Sequence, residues 1–464
     1  MQRPTLSKLA LVLLLAASGC AVQQIAPAPL MPEASQSEFM RRSLDDARTR
    51  DFLAQRNIDV GIWPPARWTP EQLALAALAH HPAMAQARAS ARLADAQLSS
   101  AGLASPASVS SQAEHHEQRD PGQSAWSVEL ALDIAVTGTP LREARIARAR
   151  MLAGTALLDE ADAAWRIRSA VWHALLELWA SRGESVLVDQ LATVHEEALS
   201  VMQTRVRLGA ADTIELARSR ASAMQIATRR VLSQQRLLQA QAGLAQALAL
   251  PASALDALRI DFSAFERVGE LPAPESLRAE ATLSRIDMRR ALANHAAAEA
   301  ALGIELLAQH PEIRLRPGLM WDQGSFVWQL GASLPLFAAQ RQAGPIAEAV
   351  ARRDIAAQDF LALQTQVLGE LELARTRAGH ATRDIDSHTA ALADARALAQ
   401  RTEQRLARGD ADRLDRLLAQ GERIEAELRL LQARQRALAA RLALEDAVQR
   451  PLAPPARPQP ENPQ

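Results

Sequence analysis

The sequence predicts a mainly α-helical protein with a small β part, built from two copies of one structural unit. Of its 464 residues, 48% are hydrophobic but only 3% are aromatic, so the apolar content is mostly Ala and Leu, which is typical of long packed helices. The stretch RVRLGAADTIE at 205–215 returns as RLARGDADRLD at 405–415. Arg205 and Gly209 match Arg405 and Gly409. We therefore expect a duplicated chain.

The N-terminal stretch MQRPTLSKLALVLLLAASGC has the pattern of a secretory signal. A basic start is followed by a short apolar core, small residues and Cys20, the single cysteine of the chain. We expect a lipoprotein signal peptide over 1–19 and lipid attachment at Cys20; an ordinary signal with an unrelated cysteine is the alternative. No disulfide can form within the chain. Residues 20–68 are predicted to be the lipid anchor and an N-terminal tether.

Proline placement predicts two very long helical hairpins. Proline does not occur between Pro140 and Pro251, or between Pro345 and Pro451. Because proline costs roughly 3 kcal/mol inside a helix, its absence permits long helices. Each gap is broken near its middle by one copy of the repeated stretch, where a glycine can end one helix and an aspartate can cap the next.

The residues beside these turns follow a seven-residue repeat, which favours coiled-coil packing. A helix over 141–208 would be about 100 Å long at ~1.5 Å per residue. The spaced positions before the first turn and after the second are Leu187, Leu191, Val194, Ala198 and Val201, and Leu417, Gly421, Ile424, Leu428 and Leu431.

Two short segments alternate apolar and polar residues, as amphipathic strands do. They are WSVELALDI from Trp126 and FVWQLGASLPL from Phe326, with partner strands expected around 107–114 and 313–322. Six residues of these two strands are predicted to form one apolar, membrane-facing surface: Trp126, Val128, Leu130, Phe326, Trp328 and Leu330. Trp126 and Trp328 could form an aromatic girdle at a membrane interface or simply pack on the apolar face.

The duplication sets the domain boundaries. Each half is predicted to contain a helix, a β-hairpin and a long helical hairpin, and the opening helices align through Met84 and Met288. The predicted segments are a first repeat at 69–255, a linker at 256–275, a second repeat at 276–450 and a disordered Pro-rich tail at 451–464.

Two hairpins per chain cannot close a barrel, and an amphipathic membrane barrel needs at least eight strands. Three copies of four strands would give twelve. We therefore expect the chain to trimerise into a 12-stranded outer-membrane β-barrel that the helices extend as a periplasmic α-helical barrel.

Over roughly residues 68–450 the chain resembles the TolC family of outer-membrane efflux channels. The features that carry this resemblance are the duplication, the two RxxxG turns and the opener WTPEQLALAALAHHPAMAQARA. SLPLFAAQRQAGPIAEAVARR at 333–353 and LALDIAVTGTPLREARIARA resemble segments of the heavy-metal (cobalt–zinc–cadmium, RND-associated) branch. The chain has Asp133-Ile134 and Thr137-Gly138 where that branch usually has Pro-Leu and Gly-Gly.

The resemblance implies a lipid-anchored homotrimer in outer-membrane lipid. It also implies a periplasmic adapter (membrane fusion) protein and an inner-membrane RND pump as partners. The adapter-contacting tips would be Arg205, Gly209, Asp212, Arg405, Gly409 and Asp412. A periplasmic gate, with ordinary capping charges as the alternative, would use Arg408, Asp410, Arg413, Asp415 and Arg416 together with Arg405 and Asp412.

The resemblance implies an exit duct that passively conducts cargo, with heavy-metal cations preferred. The alternatives are a duct for small organic compounds and a periplasmic adapter or structural coiled-coil lipoprotein. A net charge of −1 offers no electrostatic case for nucleic acid, and enzyme, cofactor and resident-metal motifs are not found. His80-His81 is interpreted as structural. Residues 114–117, Glu-His-His-Glu, form either a solvated loop or a transient metal contact.

Overall fold

The computed structural model describes residues 25–56, 62–103, 106–117, 122–136, 139–310 and 312–452. The expected signal peptide, Cys20 and the Pro-rich tail beyond residue 452 lie outside these residues. The first unit ends at Arg42 and contains helix α1, Pro32–Met40, whose side chains are all exposed. In it, the Arg42 guanidinium lies 5.6 Å from the centre of the Phe39 ring.

The second unit begins at Ser43, inside the segment for which the sequence predicts a tether. Helix α2 spans Ala47–Ala54 and is capped by the Asp46 side chain, which accepts from the Thr49 amide. Leu44, Leu53 and Trp68 are at most 2% exposed and belong to the first hydrophobic core. The described residues from Ser43 to Trp68 are therefore anchored to the helical body.

The first repeat follows in the predicted order of elements. Its elements are α3 Pro70–His80, α4 Pro82–Ala101, β1 Ser108–His115, β2 Trp126–Val136, α5 Thr139–Arg207 and α6 Thr213–Ala247. Helix α3 begins with a capping box in which Thr69 and Gln72 each bond the other's backbone amide. The 69 residues of α5 give a helix of about 100 Å, as the proline gap predicts.

The segment between the repeats is packed against the first core. Short 3₁₀ helices span Ala252–Leu255 and Ser263–Phe265. Phe265 is 2% exposed, and its ring lies 5.8 Å from that of Trp172 and 6.1 Å from that of Trp179. The residues at 256–275 thus contribute an aromatic anchor rather than only a connection.

The second repeat has the same order. Its elements are α7 Pro274–Leu283, α8 Ile286–Leu307, β3 Ile313–Asp322, β4 Ser325–Ser333, α9 Ala338–Ala407 and α10 Arg413–Val448. Helix α9 begins seven residues before Pro345, and so it tolerates a proline in its second turn. The loss is limited there because few helical hydrogen bonds precede that position.

The four strands form one antiparallel sheet in the order β1-β2-β3-β4. The registers pair Leu130 with Ser111 on β1 and with Leu319 on β3, and they pair Leu319 with Trp328 on β4. The hairpins of the two repeats therefore join through β2 and β3.

The two predicted heptad stripes pack against each other. Helix α5 contacts α6 and α10, and α9 contacts α10. Leu191, Val194, Ile424 and Leu428 are buried in one cluster. A Cβ on Gly421 would lie 3.9 Å from Leu191 and Val194, an ordinary contact distance, so this position of α10 also faces α5.

Candidate functional site

The sheet has one apolar face. Residues opposite one another in an antiparallel register point to the same side, and each strand alternates sides. The registers therefore place one set of side chains together on this face: Val109, Ser111, Ala113 and His115; Trp126, Val128, Leu130, Leu132, Ile134 and Val136; Ile313, Leu315, Pro317, Leu319 and Trp321; and Phe326, Trp328, Leu330 and Ala332.

This apolar face is exposed in the single chain. Phe326, Trp328 and Leu330 are 70%, 83% and 79% exposed, Trp126 and Leu130 are also exposed, and Val128 is half-buried. Continuous exposed apolar surfaces mark contacts with a partner or a membrane. All six residues that the sequence predicts to share a membrane-facing surface lie on this face; contact with lipid stays a prediction.

The opposite face of the sheet is polar and carries ion pairs. Arg314 Nε lies 3.0 Å from Asp133 Oδ1. Arg316 donates to Ser110 Oγ over 3.1 Å and lies 3.9 Å from Glu129 Oε1. The alternation in IRLRPGLMWD could have indicated both arginines, since Arg314 and Arg316 stand two apart and share a face.

The far end of the polar face, next to the hairpin loops, is held by a chain of hydrogen bonds. Ser127 is buried and donates to Asp322 Oδ1 over 2.5 Å, and its oxygen lies 2.9 Å from His116 Nε2. His115 instead lies on the apolar face, with its ring 4.8 Å from that of Trp126. The two adjacent histidines therefore point to opposite sides, as strand geometry predicts.

The two helical hairpins turn through the same backbone motif. Gly209 has φ +72° and Gly409 has φ +82°. In the first turn Ala210 N bonds Arg205 O over 2.8 Å, and in the second Asp410 N bonds Arg405 O over 2.9 Å. This is the Schellman ending, in which a left-handed residue closes the last carbonyls of a helix.

The returning helices are also capped alike. Asp212 accepts from the Glu215 amide and Glu215 accepts from the Asp212 amide. In the second hairpin Asp412 and Asp415 form the corresponding capping box. The repeated turn is thus explained locally by one glycine and one reciprocal cap.

The second hairpin differs because its cap also binds the first hairpin. The Arg205 guanidinium on α5 forms an ion pair with the Asp412 carboxylate. Its repeat counterpart, Arg405, donates instead to Asp410 O of its own turn over 2.9 Å. We call the Arg205–Asp412 pair the tip clasp. Sequence periodicity does not reveal it, because its partners stand 207 residues apart.

The tip clasp lowers the pKa of Asp412. Partial burial favours the neutral acid, but the Arg205 hydrogen bond and charge and the amides of Asp415 and Leu414 outweigh burial. The carboxylate is therefore held ionised to a pH below its ordinary pKa of 3.8.

The remaining gate candidates have separate partners. Arg413 lies 3.3 Å from Glu197 on α5 and so forms a second bridge between the hairpins. Arg408 donates to Gln404 O over 3.2 Å. Asp415 serves the capping box, and the Arg416 Nε atom is buried without a hydrogen-bond partner among the described residues. Asp410 enters the turn through its backbone oxygen.

His80 and His81 have structural roles. His80 is buried, with Nε2 2.8 Å from Thr49 Oγ1 and 3.4 Å from Asp46. The His81 side chain accepts from the Ala83 amide and caps α4, and burial lowers its pKa. Across the described residues, no group of three or more His, Cys, Asp or Glu side chains is placed to hold a metal ion.

No protein-family model matches the sequence, and no curated protein matches it. Solved structures do match. The chain is similar to the outer membrane protein VceC from Vibrio cholerae, with 19% identity, a TM-score of 0.66, and coverage of 82% of this chain and 95% of that one. The chain has the fold of outer-membrane channel proteins.

Two further channel structures support this assignment of the fold. CusC, whose structures describe transmembrane channel formation, has 15% identity and a TM-score of 0.65, with coverage of 82% of this chain and 91% of that one. The open state of the Neisseria gonorrhoeae MtrE outer membrane channel has 16% identity and a TM-score of 0.64, with coverage of 82% and 89%. Within the described part of the chain, no helix is both long and apolar enough to cross a membrane.

Proposed function

We propose that the protein is the outer-membrane exit duct of a tripartite efflux system. Three copies would close a 12-stranded barrel in the membrane and extend it as a periplasmic helical tube. The observation that carries this proposal is the four-stranded sheet, with a largely exposed apolar face and a polar face that carries ion pairs, in a fold that outer-membrane channels share. Lipid would cover the first face and water the second.

The internal duplication supports a trimer. On α10, Ile424 and Leu438 are at most 5% exposed because they pack against α5 of the other repeat. Their counterparts on α6, 200 residues earlier, are Met224 and Leu238, and these are 67% and 66% exposed. The intervening Val231 is 64% exposed. This stripe on α6 lacks the neighbour that its repeat copy has within the chain.

A neighbouring copy would supply that partner. Helix α8 packs against both α5 and α9, whereas its counterpart α4 packs against α5. If the repeats are related by approximate rotation about a central axis, α9 of the next protomer would cover both α4 and the α6 stripe. Two repeats per chain and three chains then give six similar positions around the tube.

The tip clasp supports a closed resting state at the periplasmic mouth. It joins the two hairpins of one protomer, and Arg413–Glu197 joins them again. Exposed ion pairs are worth about 0–1 kcal/mol each, so a few of them form a latch that contact with a periplasmic adapter could open. The Gly209 and Gly409 turns would be the contact points of that adapter, which would connect the duct to an inner-membrane RND pump.

For cargo, the resemblance of the 333–353 segment favours heavy-metal cations, and small organic compounds are the alternative. Attachment of lipid at Cys20 would hold the N-terminus at the outer membrane. A lipid chain alone binds membranes weakly, so the barrel would supply most of the anchoring.

Conductance of the purified trimer in a planar bilayer tests the proposal. We expect small or rare openings in the wild type and larger, sustained ones in Arg205→Gln, because that change removes the tip clasp. Arg405→Gln is the matched control, since its partner is a carbonyl in its own turn. If the two variants conduct alike, the tip clasp is not a latch, although the protein would still be a channel. Folded, trimeric protein that never conducts would refute the duct.

A further inference from the structure

Four charged residues on the polar face of the sheet form a compensated arrangement. Glu129 and Asp133 lie on β2 of the first repeat, and Arg314 and Arg316 lie on β3 of the second. The ion pairs Arg314–Asp133 and Arg316–Glu129 join them at 3.0 and 3.9 Å. We call these four residues the charge belt.

Comparison of the two repeats shows that each repeat supplies one sign of the charges in the belt. The strand registers align Arg314 with Ser110, Arg316 with Gln112, and Glu129 with Gly331. These three charged positions are therefore neutral in the other repeat. Within the belt, both acidic side chains lie in the first repeat and both basic ones in the second, and they meet where β2 pairs with β3.

A glycine leaves space beside one arginine of the belt. A Cβ on Gly331 would lie 3.4 Å from Arg316 Cβ. The Arg316 side chain can thus lie across the sheet instead of extending away from it. Arg314 and Arg316 remain 42% and 51% exposed, so the pairs face solvent on this side.

We propose that the charge belt sets the ionic selectivity of the barrel and keeps it weak. The inference rests on the proposed function, which makes this face the lumen. Three protomers would place the six arginines and six carboxylates of the belt around the lumen, where their fields would largely cancel. Glu114 and Asp322, on the same face next to the hairpin loops, would add six further carboxylates. A ring of unpaired carboxylates would favour cations and one of unpaired arginines would favour anions. The compensated belt therefore limits the cation preference that the further carboxylates confer, and leaves selection to other parts of the assembly.

Reversal potentials in a KCl gradient across many-channel bilayers test this proposal, because they need only small or rare openings. We expect a weakly selective wild type. Arg314→Gln leaves Asp133 unpaired and should raise the permeability of K⁺ relative to Cl⁻ roughly three-fold or more at low salt. Asp133→Asn should shift that ratio the opposite way, and the double variant should restore the wild-type value.

The control variant is Arg352→Gln, which breaks an exposed pair with Glu348 (2.8 Å) on helix α9, outside the sheet. Its reversal potential should equal that of the wild type. The belt proposal would be wrong if the trimers conduct but neither belt substitution changes their selectivity. It would also be wrong if the wild type is already strongly selective for cations. Either result would leave the proposed duct intact. Folded wild-type trimers that do not conduct would instead refute the proposed function, and the belt with it.

Discussion

Gly209 and Gly409 end the two long helices in the left-handed region, with φ +72° and +82°. No atom lies within 4 Å of a Cβ built at either position, so backbone conformation and not space demands glycine there. An L-residue in this region costs roughly 1–2 kcal/mol. The turn sequence occurs twice because each of the two helices ends in a conformation that favours glycine.

Gly409→Ala should loosen its turn by about 1 kcal/mol. Hydrogen exchange of the amides at 405–415 should accelerate about five-fold, because the Schellman bonds open more often. Gly379→Ala in the middle of α9 is the control: it has open space and an ordinary helical backbone, so it should slow exchange nearby or leave it unchanged. Unchanged exchange at 405–415 in Gly409→Ala would contradict the strain argument.

The lowered pKa of Asp412 predicts a pH dependence of the tip clasp. A carboxyl whose folded-state pKa is depressed contributes stability above its unfolded pKa, and that stability is lost as pH falls through the folded pKa. The clasp should therefore hold at neutral pH and weaken only below the ordinary value of 3.8.

Single-channel recording across this range should show wild-type openings lengthening as the pH falls below 3.8. Asp412→Asn should conduct in the open manner already at neutral pH, and its openings should change little on acidification. Asp212→Asn is the control, because asparagine caps as well as aspartate and Asp212 forms the corresponding capping box without an arginine partner among the described residues. Acid-induced opening that persists unchanged in Asp412→Asn would place the titrating group elsewhere.

At the scale of elements, the long helices, the strands and the turns follow from pattern alone. Proline gaps predict α5 and α9, period two predicts β2 and β4, and the heptad positions form the buried contact of α5 with α10. Each of these patterns lies within one segment and occurs in both repeats, so it can be recognised without knowing which elements pack against that segment.

Other elements could not be predicted this way. Trp68 and Phe265 are isolated apolar residues in polar surroundings, and only the fold brings them to the first core. The pairing of β2 with β3 and the tip clasp join residues far apart in sequence. Asp415, a candidate for the gate, also completes the capping box of α10 with Asp412. Replacing Asp415 would therefore weaken the helix start together with any latch.

The contact of α5 with α10 should dominate the stability of the hairpin pair. Ile424 is fully buried in it, so Ile424→Ala should cost about 2–5 kcal/mol. Leu418 lies six residues away on the same helix and is 55% exposed, so Leu418→Ala should stay within ~0.5 kcal/mol of the wild type. Circular dichroism during heating should separate the two variants; equal melting would place the buried contact elsewhere.

At the scale of the whole molecule, the exposed stripe on α6 is a surface that a neighbouring copy would cover in the proposed trimer. Met224, Val231 and Leu238 repeat every seven residues and stand exposed, whereas Ile424 and Leu438 at equivalent positions are buried. Exposed heptad stripes of this kind indicate a partner helix. The sequence predicts a trimer because three copies of four strands give a twelve-stranded barrel. The α6 stripe is a surface on which substitutions can test that prediction.

Val231→Glu should weaken the trimer, because it places a charge in the centre of the proposed contact with α9 of the next copy. Light scattering of detergent-extracted protein should show a marked loss of trimer. Leu232→Glu is the matched control: Leu232 is 47% exposed and its counterpart in the second repeat is the polar Gln432. A trimer that resists both changes would move the interface to another face.

The most direct test of the account is electron cryo-microscopy of the full-length protein in lipid nanodiscs. We predict particles with three-fold symmetry, a barrel of twelve strands within the lipid, and a hollow helical tube about 100 Å long on one side. The apolar face with Trp328 should contact lipid and the charge belt should line the lumen. A monomeric or solid helical rod, or a sheet whose apolar face is covered by protein, would contradict the account.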